Sequence, residues 1–572
     1  MRDPLSEPTP AAFVPFRPVV KAVLVLNLLV SVLPLAAQRP ALQVVAHAQT
    51  GQVSGQDSDS TKPETHITPE QAQKLFGMVD ELLKFSSDET GYPIKATVKR
   101  KLTTRNAVEA YIREKFDEDQ DAKRMQRSEI VLKKFGMLDR DFDLKPFLLQ
   151  LLKEQIEAYY DPKTKTVNML DWVSPDEQKP VLAHELTHAL QDQHVNLDKW
   201  SDQTPEDPST TASEDIDHLA KDEMDTAREA VVEGQATAVM MDNILKPMGR
   251  SLIKDPEVVE YIKQQMTGEG NSPVMARAPL LLSESLLFPY REGLSFEQDV
   301  WMDKGQTAAF AGTLDRPPSS SWEIINPRQY EAGHHAPIPL LPNIHPLVDA
   351  NYTPYDIGQI GELDVHILAQ VFGGEDAARD LAPAWDGGLY WAGQLRSATA
   401  AEKATTKSIA LFYLSVWKSP ASARAFAKLY VSSLGRIFSG LKPLETKANS
   451  PVPGSDNDYA AANDDEQIFD TDEGPVVITT RDRMVFISES FPLPVARKLS
   501  DLILSAQGTG ELQMASSRPV GPYEQNRLQP VQLQPLTGSL VRFMSNCGVM
   551  KAAIGAGLKA RKMAGVELAP AR

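Results

Sequence analysis

Between residues 67 and 86 apolar side chains return every three or four positions, with Leu75, Val79, Leu82 and Leu83 on one side. Thr68-Pro69-Glu70 supplies a start signal, so this stretch predicts a helix. From Pro93 to Leu102 the period drops to two. Ile94, Ala96 and Val98 alternate with Lys95, Thr97 and Lys99, the pattern of a half-buried strand. Helical spacing resumes over about 105–116 and 123–135. Two short strand-like runs at 156–160 and 166–170 then flank Asp161-Pro162-Lys163-Thr164-Lys165, which predicts a hairpin with an Asp-Pro turn. The hairpin is expected to form one wall of a cleft, where an exposed edge could pair with an extended ligand.

The next run carries chemistry. Val181-Leu182-Ala183-His184-Glu185-Leu186-Thr187-His188-Ala189-Leu190-Gln191-Asp192 contains a His-Glu-x-x-His pattern. On a helical wheel Leu182, Leu186, Ala189 and Leu190 gather opposite His184, while Val181, Glu185, His188, Gln191 and Asp192 share its side, so one face reads as core and the other as chemistry. Ser174-Pro175-Asp176-Glu177 has the form of a capping box with proline in the first turn, and Pro180 is expected to kink or restart the helix. Residues four apart stack on one helix face, so His184 and His188 can reach a single cation. Neutral imidazole suits Zn²⁺, and Glu185 leans toward the same side, where it could take a proton from metal-bound water.

Residues 196–222 are polar and acidic without periodicity and read as a solvated loop. Strong helical character follows from Ala227 to Met240, and 251–400 reads as largely helical, for instance over 255–266 and 360–372. A separate small α+β module is expected at 407–507, with a strand at 409–417, a helix at 420–438, two alternating strands within 474–488 and a last helix at 493–505. The tail, 508–572, is rich in Pro, Gln and Ser before a weakly basic end, and predicts disorder.

Composition changes this picture in three ways. A chain of 572 residues with 42% apolar side chains can build two or three cores. The net charge of −18 argues against nucleic acid or an anionic membrane as the main partner. The single cysteine, Cys547, excludes an internal disulfide framework and an N-terminal lipid-bearing cysteine. Arg17 and Lys21 precede an apolar run from Ala22 to Ala37, broken by Asn27, Ser31 and Pro34, and Ala46-His47-Ala48 offers a cleavage site before Gln49. Residues 1–48 therefore predict a signal peptide, 49–66 a flexible linker, and the protein an exported, periplasmic or extracellular location without stable membrane insertion.

The pairing of His184-Glu185-Leu186-Thr187-His188 with Glu233-Gly234-Gln235-Ala236-Thr237 resembles the gluzincin metallopeptidases, among them uncharacterised exported bacterial members. Tyr159-Tyr160-Asp161-Pro162 and His184-to-Gln193 look like segments of those proteins. Weaker likeness covers Pro317-to-Ser321, Asn326-to-Tyr330 and Ala384-to-Tyr390, where Gly388 and Leu389 depart from the acidic and basic residues expected. The resemblance implies an α+β, zincin-like catalytic domain over 156–400, mostly helical with a small mixed sheet, supported by a lobe at 67–155. It implies His184, His188 and Glu233 as Zn²⁺ ligands, Glu185 as general base, a peptide or protein as substrate, and a downstream Tyr or His at the oxyanion; Tyr330, His334, His335 and Tyr390 are the candidates.

Two rivals compete for the third ligand. His194 follows His188 by six residues as in the metzincins, but Gln191 stands where that motif turns sharply at a glycine, and on a continued helix His194 points away. Glu229 lies one turn before Glu233, whereas Gly234 would let the Glu233 helix approach the His184 helix closely. The expected reaction is peptide hydrolysis by metal-activated water. The alternative is a non-catalytic periplasmic binding or scaffold protein with a structural zinc, against which the intact Glu185 argues. Oligomeric state is not encoded in any pattern here.

Overall fold

The computed structural model describes residues 66–507 apart from 119, 202–208, 267–271 and 448–464. The expected signal peptide, all but the last residue of the linker, and the tail lie outside the described residues. What is described is α+β, with helices dominating and two sheets. Among the described residues no helix is long and apolar enough to cross a membrane.

The smaller sheet contains β1 (Lys99–Thr103), β2 (Ala158–Asp161) and β3 (Thr166–Leu170) in the order β1-β3-β2. β2 and β3 form the antiparallel hairpin, and β1 joins β3 in parallel, leaving β2 at one edge. The strand expected over 93–102 is thus displaced to 99–103. Residues 95 and 96 instead donate their backbone N–H groups to Gln193 Oε1 at 2.7 and 2.9 Å, so a side chain from a helix end satisfies them in place of a neighbouring strand.

Four helices surround the region next to this sheet. The helix Pro69–Thr90 starts with the capping box of Thr68 and Gln71 and buries Leu75, Val79, Leu82 and Leu83. The motif helix, Pro175–Val195, starts with a capping box between Ser174 and Glu177. It runs through Pro180 without a break; the carbonyl that proline leaves unbonded belongs to exposed Asp176. Gln178 pins its first turn to β3 through paired 2.9 Å bonds with the Leu170 amide and carbonyl. The acid helix, Met224–Leu245, carries Glu233, and the buttress helix, Leu280–Lys304, lies against it.

The motif helix is buried on every side from Pro180 to Asp192, so beside the core face the face expected to carry chemistry is covered as well. Apolar periodicity reports only the first of these faces. Residues 196–222, expected as loop, include a helix at Ala212–Lys221 capped by Thr211. It buries Asp215 and His218 as well as Leu219, and Asp215 meets His345 at 3.2 Å. A helix held by buried polar contacts has little apolar rhythm to read.

The larger sheet has seven antiparallel strands: β4 (Tyr352–Gln359), β5 (Trp385–Leu395), β6 (Ile409–Trp417), β7 (Lys442–Lys447), β8 (Asp465–Asp470), β9 (Val476–Arg481) and β10 (Met484–Glu489). Their order is β4-β5-β6-β10-β9-β8-β7. Alternate residues of the fully buried β6 enter two cores, Leu411 and Tyr413 on one side and Phe412 and Leu414 on the other. Helix Pro420–Ile437 contributes to the first and helix Leu493–Ala506 to the second. This corrects the boundary expected between a domain ending at 400 and a module starting at 407. β5 pairs with β6 from Trp385 to Gln394, and the backbone hydrogen bonds of one sheet cross that boundary.

Candidate metal centre

The motif helix and the acid helix bring three groups together. His184 Nε2 lies 3.0 Å and His188 Nε2 lies 3.7 Å from Glu233 Oε2, and the two imidazole rings meet nearly edge to face with centroids 4.5 Å apart. Among the described residues, His184, His188 and Glu233 form a group whose ligand atoms all lie within 4.8 Å of one another. Ligands on one ion at bond lengths of ~2.1 Å would sit roughly 3.4 Å apart, between the two separations seen here. A single His184–Glu233 hydrogen bond would explain the shorter contact. It would not explain why His188 faces the same oxygen.

The electrostatics favour a cation. Burial holds His184 down to about 3 and His188 down to about 4, so both imidazoles are neutral near pH 7 and offer lone pairs. Burial also pushes Glu233 up to about 7, against the pull of His188 and the nearby Tyr290 hydroxyl. Glu185 rises to about 8 through burial, then through the charge of Glu233, while the Tyr160 amide opposes the shift. Among the described residues no lysine or arginine offsets either carboxylate. A bound cation would do so, and the donor set fits one.

Glu185 occupies a defined position. Tyr160 N–H donates to its Oε2 at 2.7 Å, and Oε1 meets no hydrogen-bond partner among the described residues. The edge strand β2 therefore reaches the motif helix through its outward-facing amide. An extended ligand pairing with β2 at that point would compete with Glu185. Tyr160 is fixed from its other end, since its hydroxyl donates to Asp192 Oδ2 at 2.8 Å and Lys165 meets the same oxygen at 2.7 Å.

Comparison with known protein families, curated proteins and solved structures finds no match.

The two rival ligands lie elsewhere. His194 Nε2 meets Asp315 at 3.1 Å, and its ring tilts against Tyr92 with centroids 5.1 Å apart. Glu229 is buried but does not belong to the close group. None of the four oxyanion candidates has its partners at the centre. Tyr330 donates to the Arg316 carbonyl at 2.7 Å, His334 meets Gln329, His335 meets Glu323, and Tyr390 lies beside Asp356 and Gly358.

Tyr290, on the buttress helix, lies beside the centre, and its buried hydroxyl makes no hydrogen bond among the described residues. Its ring lies almost parallel to His184 with centroids 6.3 Å apart, and it is 2% exposed. Burial first, and then Glu233, Glu185 and Glu229, push its phenol well above the ordinary range, so it remains a neutral donor. Gly293 is the signal that could have found it. A Cβ at Gly234 would fall 2.3 Å from the Gly293 carbonyl carbon, and one at Gly293 would fall 2.1 Å from Ala230 O, so the acid and buttress helices touch backbone to backbone. Gly234 thus serves contact with the buttress helix, and not the contact with the motif helix expected from sequence. Tyr290, one turn before Gly293, is carried to Glu233 by that approach.

Proposed function

We propose that this chain is an exported zinc-dependent metallopeptidase with a zincin-like catalytic region, related in mechanism to the gluzincins and acting on peptide or protein substrates. The observation that supports it is Glu185. A carboxylate beside a His-His-Glu group, held by one oxygen and unbonded at the other, is arranged to accept a proton, which a purely structural site does not require. Zn²⁺, when held by His184, His188 and Glu233, supplies a Lewis acid that activates water and polarises a carbonyl, and its charge keeps both carboxylates ionised.

The chain's own groups do the rest. Glu185 Oε1 takes the proton from the attacking water and passes it to the leaving amine, while the Tyr160 amide holds Oε2 so that the free oxygen keeps its direction. Tyr290, neutral and buried, can donate to charge developing on the carbonyl oxygen.

One observation favours the second reading, a scaffold with structural zinc: His184 is 0%, Glu185 2% and Glu233 4% exposed, so substrate must open a path before reaching them. Purified protein, loaded with zinc and challenged with a peptide library, separates the two readings. Hydrolysis abolished by chelator and by Glu185→Gln, with about one zinc per chain retained in the variant, supports the peptidase. One zinc per chain and no hydrolysis supports the scaffold.

A further inference from the structure

His188 has a second ring nitrogen, Nδ1, which faces away from Glu233 toward its own helix. His188 Nδ1 lies 2.9 Å from Gln191 Oε1, one turn along the motif helix. An amide alone would not define the tautomer, because it can present oxygen or nitrogen. Here its orientation is dictated from outside. Gln191 Nε2 lies 3.0 Å from the Val232 carbonyl and 2.9 Å from Gln235 Oε1. Gln235 is oriented in turn: its Nε2 lies 3.2 Å from the Ala309 carbonyl, 2.9 Å from the Phe310 carbonyl and 2.9 Å from Thr313 Oγ1, and its Oε1 accepts the Tyr92 hydroxyl at 2.9 Å.

Backbone carbonyls only accept, so each step has one solution. The Ala309 and Phe310 carbonyls require the amide nitrogen of Gln235 on their side, which turns its oxygen toward Gln191 and Tyr92. The Gln191 nitrogen must then face that oxygen and the Val232 carbonyl, and its own oxygen must face His188. Nδ1 therefore carries the proton and Nε2 presents its lone pair to Glu233. Ala309 and Phe310 lie in a single π-helical turn, Ala308–Gly312, whose widened path offers two carbonyls to one side chain. Both glutamines are fully buried, so water cannot substitute for either link.

We infer that Gln191 and Gln235 form a relay that sets the tautomer of His188, with the π-helical turn at 308–312 as its fixed end, and that both are positioning residues for the metal centre. The inference rests on the proposed metal site for its purpose, but the tautomer is a property of the metal-free chain. Partners of this kind are worth roughly 10- to 100-fold in metal affinity when removed.

The test uses full-length metal-free protein labelled with ¹⁵N-histidine, in which long-range ¹H–¹⁵N correlations report the tautomer of each ring. The His188 signal is identified by its loss in His188→Ala. The expected result is Nδ1–H at His188 near pH 7, lost in Gln191→Leu. Zinc affinity, read by competition with a chromophoric chelator, should fall about 10- to 100-fold in Gln191→Leu and less in Gln235→Leu. Nδ1 without a proton in the wild-type chain overturns the relay, whether or not zinc binds. Zinc affinity in a folded Gln191→Leu within twofold of wild type overturns its positioning role. Failure of wild type to bind zinc, with Nδ1–H intact, counts against the metal-site reading and leaves the tautomer assignment standing.

Discussion

Buried acids in the two halves of this chain are neutralised in different ways. Beside the seven-stranded sheet, Glu473 receives Lys134 at 2.7 Å and Arg140 at 3.1 Å, and Lys134 is fully buried. Burial alone would raise Glu473, but Lys134 and then Arg140 hold it below the usual carboxylate range. Around the motif helix Glu185 and Glu233 have no such partner and both lie above their ordinary range. A third site, Asp222 and Glu223, has donors and, among the described residues, no metal-binding imidazole pair: the Gln359 amide serves Asp222, and the Ser321 amide and hydroxyl serve Glu223 at 3.0 and 2.8 Å, yet burial still raises both acids. Buried acidity by itself therefore does not mark a metal centre. The mark is an acid on which two neutral imidazoles converge, since neutral rings bring no charge to offset it while their lone pairs could share a cation with it.

The largest effect expected from this contrast is on metal binding. Glu233→Ala should lower zinc affinity on the order of 10²-fold or more, while Glu229→Ala and His194→Ala should change it less than ~10-fold. Chelator competition on the three variants decides the ranking. A greatest loss at His194 would move the centre to a His-His-His arrangement and dissolve the contrast.

Next in size is the counterpart in the sheet half. Lys134→Met keeps most of the side-chain volume but leaves Glu473 with only half-buried Arg140, so urea denaturation should show a loss of about 3 kcal/mol. Zinc stoichiometry should not change. An unaltered denaturation midpoint would mean that the buried pair does not neutralise Glu473 in the way described.

The same two halves differ in how far they can be read from sequence. In the sheet half, β6, β9, β10 and the helices at 420–437 and 493–506 follow from apolar alternation and helical spacing, because those strands are buried by apolar contact. β7 and β8 escape that reading, since Lys442–Lys447 at the sheet edge and Asp465–Asp470 beside it are rich in charged residues and lack apolar alternation. Around the motif helix, local signals show the Ser174 capping box, the hairpin turn and the spacing of His184 and His188. The approaches between helices do not show: Gln191 to Gln235, Tyr290 beside Glu233, and Gly234 against Gly293 bring together residues 44 or more apart in the chain. Such links leave single residues in the sequence and no period.

A smaller effect compares two helical glycines. Gly234→Ala drives a methyl into the Gly293 backbone and should destabilise by about 2 kcal/mol or more, weakening zinc binding as Glu233 shifts with its helix. Gly435→Ala, in helix Pro420–Ile437, meets open space and should be neutral or stabilising by about 0.5–1 kcal/mol. Thermal unfolding of both variants gives the comparison directly. Equal and small shifts would show that the acid and buttress helices are not locked at Gly234.

The smallest effect concerns pH and the sheet half alone. Glu489 is fully buried, accepts the Tyr430 hydroxyl at 2.7 Å, and is raised to about 7 by burial, with Lys134, Tyr430 and Arg140 opposing the shift and Glu473 adding to it. Its folded value exceeds the unfolded one of roughly 4.5, so between these values the folded chain binds more protons than the unfolded chain. Its contribution is then fully present below about pH 4.5 and is lost as pH rises through about 7. Glu489→Gln keeps the shape and removes the titration. Chemical denaturation from pH 5 to 8 should therefore show wild-type stability falling more steeply than that of the variant, by an amount largest at the alkaline end. Parallel profiles would mean that Lys134 pairs with an ionised Glu489 as it does with Glu473. The sheet half would then hold two charged acids against two cations, Lys134 and Arg140, and would neutralise both by ion pairing alone.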